Sequence, residues 1–180
     1  MAGAAYVQGG ISSPTTFFTK LEPTGTSINF TKEFGDGKNR IRAIAVDAPT
    51  GDIVVTGITT SQTLPTLHAF QNTRVPSSSA TGFVAKFDSS ANSLIYSTYL
   101  GGSVDDRSLA VALDATGGAI VAGTSSSPNF PVTPGAIQPM ISGGPTCFVT
   151  RFGTNGEFLF SSFLGGHNGS NCNGVAVDAS

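Results

Sequence analysis

Short apolar runs separated by turn-forming residues recur along the whole chain. Four of them follow one another in FVAKFDSSANSLIYSTYLGGSVDDRSLAVALDATGGAIVAG, residues 83–123, where Gly, Ser, Asp and Asn separate the runs. The run FVAKF at 83–87 has counterparts in FFTKL at 17–21 and FVTRF at 148–152, at spacings of 66 and 65 residues. No run shows a sustained helical period, so the pattern predicts a nearly all-β protein built from a repeated unit.

Each repeat is predicted to contain four strands, which we call inner, second, third and outer. In the central part of the chain these are represented by AVALD, AIVAG, FVAKF and IYSTYLGG. The strands of unit 1 span about 5–34, those of unit 2 about 41–100 and those of unit 3 about 109–164, and a lone inner strand follows at 174–178. The whole chain is thus one repeat region of twelve predicted strands, in which unit 1 lacks its inner strand.

The outer strand of unit 2 is apolar on both of its faces. Strict alternation places Leu94, Tyr96 and Leu100 on one face and Ile95 and Tyr99 on the other. A strand that is buried on both faces must lie between two other layers. Four-stranded sheets packed face to face are the arrangement of β-propeller blades, and the small residues of the inner strands suit the narrow space near a propeller axis.

The predicted architecture is therefore about three four-stranded blades of propeller type. Because propellers usually close with four to eight blades, three blades predict an incomplete propeller or a unit that completes itself by assembly. In the second case residues 174–178 of one chain would occupy the vacant inner position beside residues 5–8 of another.

The segment YSTYLGGSVDDRSLAVALDATGGAIVAGTSSSPNFPVTPGAIQ, residues 96–138, resembles the SBBP (seven-bladed β-propeller) repeat. The third unit shares the pattern in FLFSSFLGG at 158–166, whereas the first unit departs from it with INFTKEFGD at 28–36. The resemblance implies a propeller fold in a large secreted or surface protein, and it implies no catalytic residues.

Two long connections rich in Ser, Thr and Pro follow the second strands of units 2 and 3, at 57–82 and 123–145. In unit 1 the equivalent interval, from Gly9 to Phe17, is only 8 positions long. In an antiparallel sheet these connections emerge on the same face as the crossovers from outer to inner strands, at 35–39, 101–107 and 165–173. Loops held by a rigid scaffold often carry function, so this face is the predicted binding site, unless the loops only cover sheet edges.

Acidic residues are the main candidates for chemistry on that face. Asp105 and Asp106 could ligate Ca²⁺, but the aligned tripeptides Lys38-Asn39-Arg40 and Gly169-Ser170-Asn171 lack acids. We therefore favour a turn-capping Asp or an Asp–Arg ion pair between blades. The residues that end the inner strands are interpreted as turn caps; they are Asp47, Asp114 and Asp178.

The sequence contains no Gly-x-Ser-x-Gly elbow, no Ser-x-x-Lys and no P-loop. No catalytic, cofactor-binding or metal-binding residue is predicted, and no cofactor is expected. The function predicted is that of a non-enzymatic structural or binding module. The alternative is a propeller-based lyase or hydrolase with its site on the face that bears the long loops.

Cys147 and Cys172 are too few for the usual cysteine metal sites. Two interpretations remain open, a disulfide between them and two free buried thiols. The disulfide is plausible because Cys147 precedes a third strand while Cys172 lies beyond the end of the antiparallel outer strand. Asn29 and Asn168 lie in Asn-x-Ser/Thr sequons and are candidates for N-glycosylation.

Composition and charge limit the classes of partner that the chain could bind. The formal net charge is −2 and only 11% of the residues are charged, so there is no basic patch for nucleic acid. No run approaches the ~18 apolar residues of a membrane span. The first residues contain no signal peptide, which leaves a cytosolic protein or a secreted one whose leader was removed. We favour an extracellular or cell-surface location, with further copies or the remaining blades of a longer chain as partners.

Overall fold

The computed structural model of the protein describes residues 5–10, 16–75 and 79–178. Within these ranges the chain forms eleven strands and no helix, which confirms the predicted all-β class. The strands are β1 (Tyr6–Gly10), β2 (Thr16–Leu21), β3 (Ile28–Phe34), β4 (Asn39–Val46), β5 (Ile53–Thr59), β6 (Thr81–Phe87), β7 (Leu94–Leu100), β8 (Asp106–Leu113), β9 (Ala119–Ser125), β10 (Thr146–Phe152) and β11 (Phe158–Leu164).

The strands form three antiparallel sheets in chain order. Sheet 1 is β1-β2-β3, sheet 2 is β4-β5-β6-β7 and sheet 3 is β8-β9-β10-β11. The same register recurs in all three sheets, because a glycine of one strand faces the first Phe of the FFTKL-like run. These pairs are Gly9 with Phe17, Gly57 with Phe83 and Gly123 with Phe148. The repeat read from the sequence is therefore a structural repeat, with a three-stranded first member.

Two of these glycines are required by a bulge in the neighbouring strand. The pairing of β4 with β5 shifts between Ile41 and Ala43, and that of β8 with β9 shifts in the same way between Ser108 and Ala110. Each bulge brings a carbonyl group so close that a Cβ at Gly57 or Gly123 would collide with backbone. No other residue fits at these positions.

The three sheets stack face to face, with sheet 2 in the middle. One face of sheet 2 packs on sheet 1 through Phe18 and Phe34, which contact a cluster formed by Ile53, Val55, Phe83, Phe87 and Tyr99. Its other face packs on sheet 3 through Val54, Val84, Tyr96 and Leu100, which contact Val121, Phe148, Phe152 and Phe163. All of β6 is buried. The two-sided burial expected for the outer strand of unit 2 is present in β7, where Tyr99 packs towards sheet 1 and Tyr96 and Leu100 pack towards sheet 3.

The predicted faces of β7 are wrong at its first two residues. Leu94 packs in the cluster with Tyr99, while Ile95 packs with Tyr96 and Leu100 against sheet 3. The reason is a bulge, since Lys86 pairs with Tyr96 but the next residue, Phe87, pairs with Leu94. The extra residue reverses the alternation at that point.

The predicted lone inner strand at 174–178 is also wrong as a strand. Residues 171–178 contain no strand, so the described chain has eleven strands rather than twelve. A strand is defined by hydrogen bonds to a neighbour, and this segment has no neighbouring strand to pair with. Its position on sheet 3 is described below.

Tyr96 and Tyr99 lie on the same strand and both are buried, but their hydroxyl groups differ. The Tyr99 hydroxyl donates to the Ser61 carbonyl oxygen at 3.2 Å and accepts the Leu64 N–H at 3.0 Å. The Tyr96 hydroxyl has no hydrogen-bond partner among the described residues. Burial, and secondarily the negative charge of Glu157, raises the pKa of Tyr96.

We expect Tyr99→Phe to lower the free energy of unfolding by about 1–2 kcal/mol, because it leaves two buried backbone groups unpaired. The matched change Tyr96→Phe should leave that free energy unchanged or raise it by up to about 1 kcal/mol, because it removes an unpaired hydroxyl. Urea unfolding of the two variants measures both effects. Equal losses in the two variants would contradict these hydroxyl environments.

Candidate functional site

The long connections and the crossovers lie together at one end of the sheets, as their topology predicts. Lys38 of the first crossover accepts a backbone hydrogen bond from Thr60, at the start of one long connection. Asp105 of the second crossover accepts one from Ser126, at the start of the other. The end of that second connection reaches the segment after β11, where Ser170 N–H donates to the Pro145 carbonyl at 2.7 Å. These residues form one continuous surface, which we call the loop face.

Each long connection also runs back along the outer strand of its own sheet. In sheet 2, Leu67 forms a two-way backbone bridge with Ser97, and Gln71 bonds the backbone of Tyr99 and Gly101. In sheet 3, Thr133 N–H donates to the Ser161 carbonyl and Thr133 Oγ1 accepts the Ser161 N–H. Gln138 accepts the Phe163 N–H through its backbone carbonyl and the Gly165 N–H through its side chain. The connections therefore cover the edges of β7 and β11. Covering sheet edges was the role that the sequence offered as the alternative to a binding site.

Among the described residues, no segment pairs with the outer edge of β3 in sheet 1. The interval between β1 and β2 consists of residues 11–15, which lie outside the described part of the chain. The outer strand β3 carries Lys32 and Glu33, and its Ile28 is 63% exposed. Charged residues on an open edge discourage pairing with other chains. The departure of INFTKEF from the uncharged LIYSTYL and FLFSSFL patterns is explained by this open edge.

Asp106 is the buried carboxylate of the loop face. Its two oxygens accept hydrogen bonds from Gly102 N–H at 2.7 Å, Ser125 Oγ at 2.5 Å and Ser127 Oγ at 2.8 Å. Burial raises the pKa of Asp106 although the Ser125, Gly102 and Ser127 hydrogen bonds oppose it. The carboxylate thus joins the crossover to the start of the long connection.

The corresponding position in sheet 2 is Asn39, and there a different residue supplies the carboxylate. Asp36 accepts hydrogen bonds from Ser61 Oγ at 2.7 Å, Thr63 Oγ1 at 3.1 Å and Asn39 Nδ2 at 3.3 Å. After β11 the equivalent residue is Ser170, whose Oγ accepts the Gly166 N–H at 3.3 Å. Sequence alignment pointed to Asn39 and missed Asp36, because the crossover of unit 1 is one residue shorter.

Asp105 pairs with Arg107 within its own crossover, so the predicted ion pair between blades is wrong. Its other oxygen accepts the Ala80 N–H at 3.3 Å. Asp105 and Asp106 therefore serve separate contacts. Among the described residues no group of three or more His, Cys, Asp or Glu could hold a metal ion.

Asp47 and Asp114, which follow β4 and β8, cap turns. Asp47 accepts the Thr50 hydroxyl at 2.8 Å. Asp114 accepts the hydroxyl and N–H of Thr116, the N–H of Gly118, and Arg151 Nε at 2.8 Å. Burial alone would raise the pKa of Asp114, but these hydrogen bonds together lower it to about 2. Asp178 lies in the segment after β11.

Cys147 and Cys172 form a disulfide, with their Cα atoms 5.2 Å apart. Cys147 is the second residue of β10 and is buried, so the bond fastens the segment after β11 to the body of sheet 3. The sequon residues Asn29 and Asn168 are both exposed, and the Asn29 amide donates to Glu22 at 2.6 Å.

The segment 171–178 lies on the outer face of sheet 3, the face that is turned away from sheet 2. Thr124 Oγ1 of β9 donates to Asn171 Oδ1 at 3.2 Å. Further along, Ala176, Val177 and Asp178 line an open cleft together with Ile120 of β9. The strand β8 crosses sheet 2 in the same manner and contacts β4, β5 and β6. Relative to sheet 3, the segment therefore takes the place that β8 takes relative to sheet 2.

A cleft of about 630 Å³ between sheets 2 and 3 was not anticipated from the sequence. His68 and Phe70 of a long connection line one side, and Glu157 and Phe158 of the β10–β11 turn line the other. The rings of Phe70 and Phe158 stack with centroids 3.9 Å apart, and Phe70 is 41% exposed. His68 has a φ of 47°, which is uncommon for a residue other than glycine. The Glu157 carboxylate accepts its hydrogen bonds from Asn155 in its own turn.

The chain was compared with models of known protein families and with curated proteins, and neither comparison gives a match. The described residues contain no helix that is long and apolar enough to span a membrane.

Proposed function

We propose that this chain is a non-enzymatic structural or binding module of a secreted or cell-surface protein, and that its three sheets are blades of propeller type. The resemblance of residues 96–138 to the SBBP repeat supports this assignment. So do the common register and the face-to-face stacking of the sheets. The single observation that carries the proposal is the placement of residues 171–178 on sheet 3, where a following blade would have its inner strand.

A structural or binding role fits the chemistry of the loop face. The carboxylates of Asp36 and Asp106 are held by Ser and Thr hydroxyls, and the long connections are tied to the outer strands by paired hydrogen bonds. Such a surface is rigid and presents hydroxyl and amide groups in fixed positions. It is suited to holding a partner or a neighbouring module.

A secreted or surface location fits the disulfide between Cys147 and Cys172, because disulfides persist in oxidising compartments. The low content of charged residues and the exposed sequon residues Asn29 and Asn168 agree with it.

The stacking leaves two end faces that are built like the buried ones. On sheet 3, Ile120, Val149, Phe160 and Leu164 occupy the positions that Val54, Val84, Tyr96 and Leu100 occupy on sheet 2. The four residues of sheet 2 are fully buried by sheet 3, whereas Leu164 is 40% exposed. We propose that further blades cover these faces, supplied by a second copy of the chain or by further sequence of the same chain.

The test is light scattering coupled to size-exclusion chromatography, applied to the chain and to a variant that lacks residues 174–180. We expect the chain to associate and the shortened variant to remain monomeric, because the variant has lost the segment that would add to sheet 1 of another copy. A monomeric chain whose end faces do not bind hydrophobic dyes would contradict the proposal.

A further inference from the structure

Among the described residues, no strand occupies the first position of sheet 1. Sheets 2 and 3 begin with β4 and β8, whereas sheet 1 begins with β1, the counterpart of their second strands β5 and β9. The residues 174–178 resemble β8 in sequence, with GVAVD in place of AVALD. Within the part of the chain that the structure describes, one inner-strand segment therefore belongs to no sheet, and one sheet has no inner strand.

The internal repeat fixes how the two would pair. In sheet 3, Ala110 lies opposite Ala122 and Val111 opposite Val121. Gly9 is the counterpart of Gly123, so Gln8 and Val7 are the counterparts of Ala122 and Val121. The same register places Gly174 opposite Gln8 and Val175 opposite Val7, in a strand addition to the free edge of β1.

A basic residue on the FFTKL-like strand of each sheet, which is β2, β6 or β10, gives an independent indication of this pairing. In sheet 3, Arg151 pairs with Asp114 at 2.8 Å, and in sheet 2, Lys86 pairs with Asp52 at 3.5 Å. In both cases the acid lies between the first and second strands of the same sheet. The counterpart in sheet 1 is Lys20, which lies over the Tyr6 ring and forms no ion pair among the described residues.

We infer that residues 174–178 of one copy add to β1 of a second copy, with Asp178 beside the second copy's Lys20. Asp178 is the counterpart of Asp114 and Lys20 is the counterpart of Arg151, so the pair repeats the ion pair found within sheet 3. This inference rests on the proposed function, because it requires the sheets to stack as blades. Residues 174–178 would be the first strand of sheet 1, their register would follow that of β8 on β9, and the charge of Asp178 would hold that register.

The apolar surfaces that this addition brings together match those already packed inside the chain. Val7 of β1 and Phe17 of β2 are the counterparts of Val55 and Phe83, which face sheet 1 from sheet 2. They would meet the outer face of sheet 3, where Val149 and Phe160 lie. The contact is head to tail. If two copies close on each other they form a ring of six sheets, and if each copy instead adds to a further copy they form a filament.

The test is charge reversal measured by sedimentation velocity over a range of concentrations. Lys20→Glu and Asp178→Lys should each raise the dissociation constant roughly tenfold or more, and the double reversal should restore it to within about threefold. The control is Lys32→Glu, because Lys32 lies on the same face of sheet 1 over another aromatic ring, that of Phe87, but on β3, the strand of the sheet farthest from β1. It should leave the dissociation constant nearly unchanged.

Two further outcomes separate this inference from the proposal on which it rests. If the chain associates and loses association without residues 174–180, but neither single reversal weakens it, the register and the ion pair are wrong while the stacked-blade proposal stands. If the chain does not associate at any concentration, the addition to a second copy is wrong; a longer chain would then have to supply the missing strand to keep the proposed function. Circular dichroism of each variant shows that a loss of association is not a loss of folding.

Discussion

Replacing Tyr99 with Asp should lower the free energy of unfolding by several kcal/mol, or prevent folding. Tyr99 is 1% exposed and lies between sheets 1 and 2, in contact with the Phe-rich cluster. An Asp at this position would bury a charge in the Phe-rich cluster and would also remove the hydrogen bonds to Ser61 and Leu64. The cost of burying an unpaired charge is several kcal/mol.

The control for this prediction is Asp105→Ala, on the crossover that follows the same strand. Asp105 is half-buried and forms an ion pair with Arg107 and one hydrogen bond with Ala80, so its loss should cost only about 1 kcal/mol. Thermal and urea unfolding of both variants give the comparison. Similar midpoints for Tyr99→Asp and Asp105→Ala would contradict the stacking of sheets 1 and 2.

The second large effect is expected from removal of the disulfide. The double change Cys147→Ala with Cys172→Ala should lower the free energy of unfolding by about 3 kcal/mol, because the bond closes a loop across 25 residues. It should also loosen residues 171–178 from sheet 3, since the bond fastens this segment to β10.

Unfolding with and without a thiol reductant measures this effect. The wild-type chain should lose stability in the reductant, down to the level of the double variant, while the double variant should be insensitive to it. If the wild-type unfolding curve is the same in oxidising and reducing conditions, the bond does not contribute to stability as expected.

Much of the fold could be predicted because its signals are local. Apolar runs such as FVAKF and turn residues such as Asp114 define the strands and their ends, and their recurrence defines the repeat. The proximity of Cys147 and Cys172 could be argued from the antiparallel order of third and outer strands alone. The β class and the two-sided burial of sheet 2 followed from the same pattern.

The features that sequence reasoning missed depend on single extra residues or on contacts between distant segments. The bulge beside Lys86 and Phe87 moved Leu94 and Ile95 to the opposite faces, and no residue type marks it. In the first crossover Asp36, which is exposed, accepts the hydrogen bond of Ser61 that corresponds to those of Asp106 in the second crossover, because the first crossover is one residue shorter.

The candidate site was predicted only in part. Alternating connections placed the long loops and the crossovers on one face, but the pattern did not show that the loops bind their own outer strands. The cleft that contains His68 and Glu157 joins a loop of sheet 2 with a turn of sheet 3. Such a meeting of segments about 90 residues apart has no signature in the sequence.

The most direct test of the stacked-blade account is an experimental structure of the protein under conditions where it associates. The account predicts that residues 174–178 are hydrogen-bonded along the free edge of β1 in a neighbouring copy, with Gly174 opposite Gln8 and Asp178 beside Lys20. The outer faces of sheets 1 and 3 should be buried against each other in that contact. A structure in which β1 keeps a free edge and these faces stay open to solvent, or meet in another way, would contradict the account.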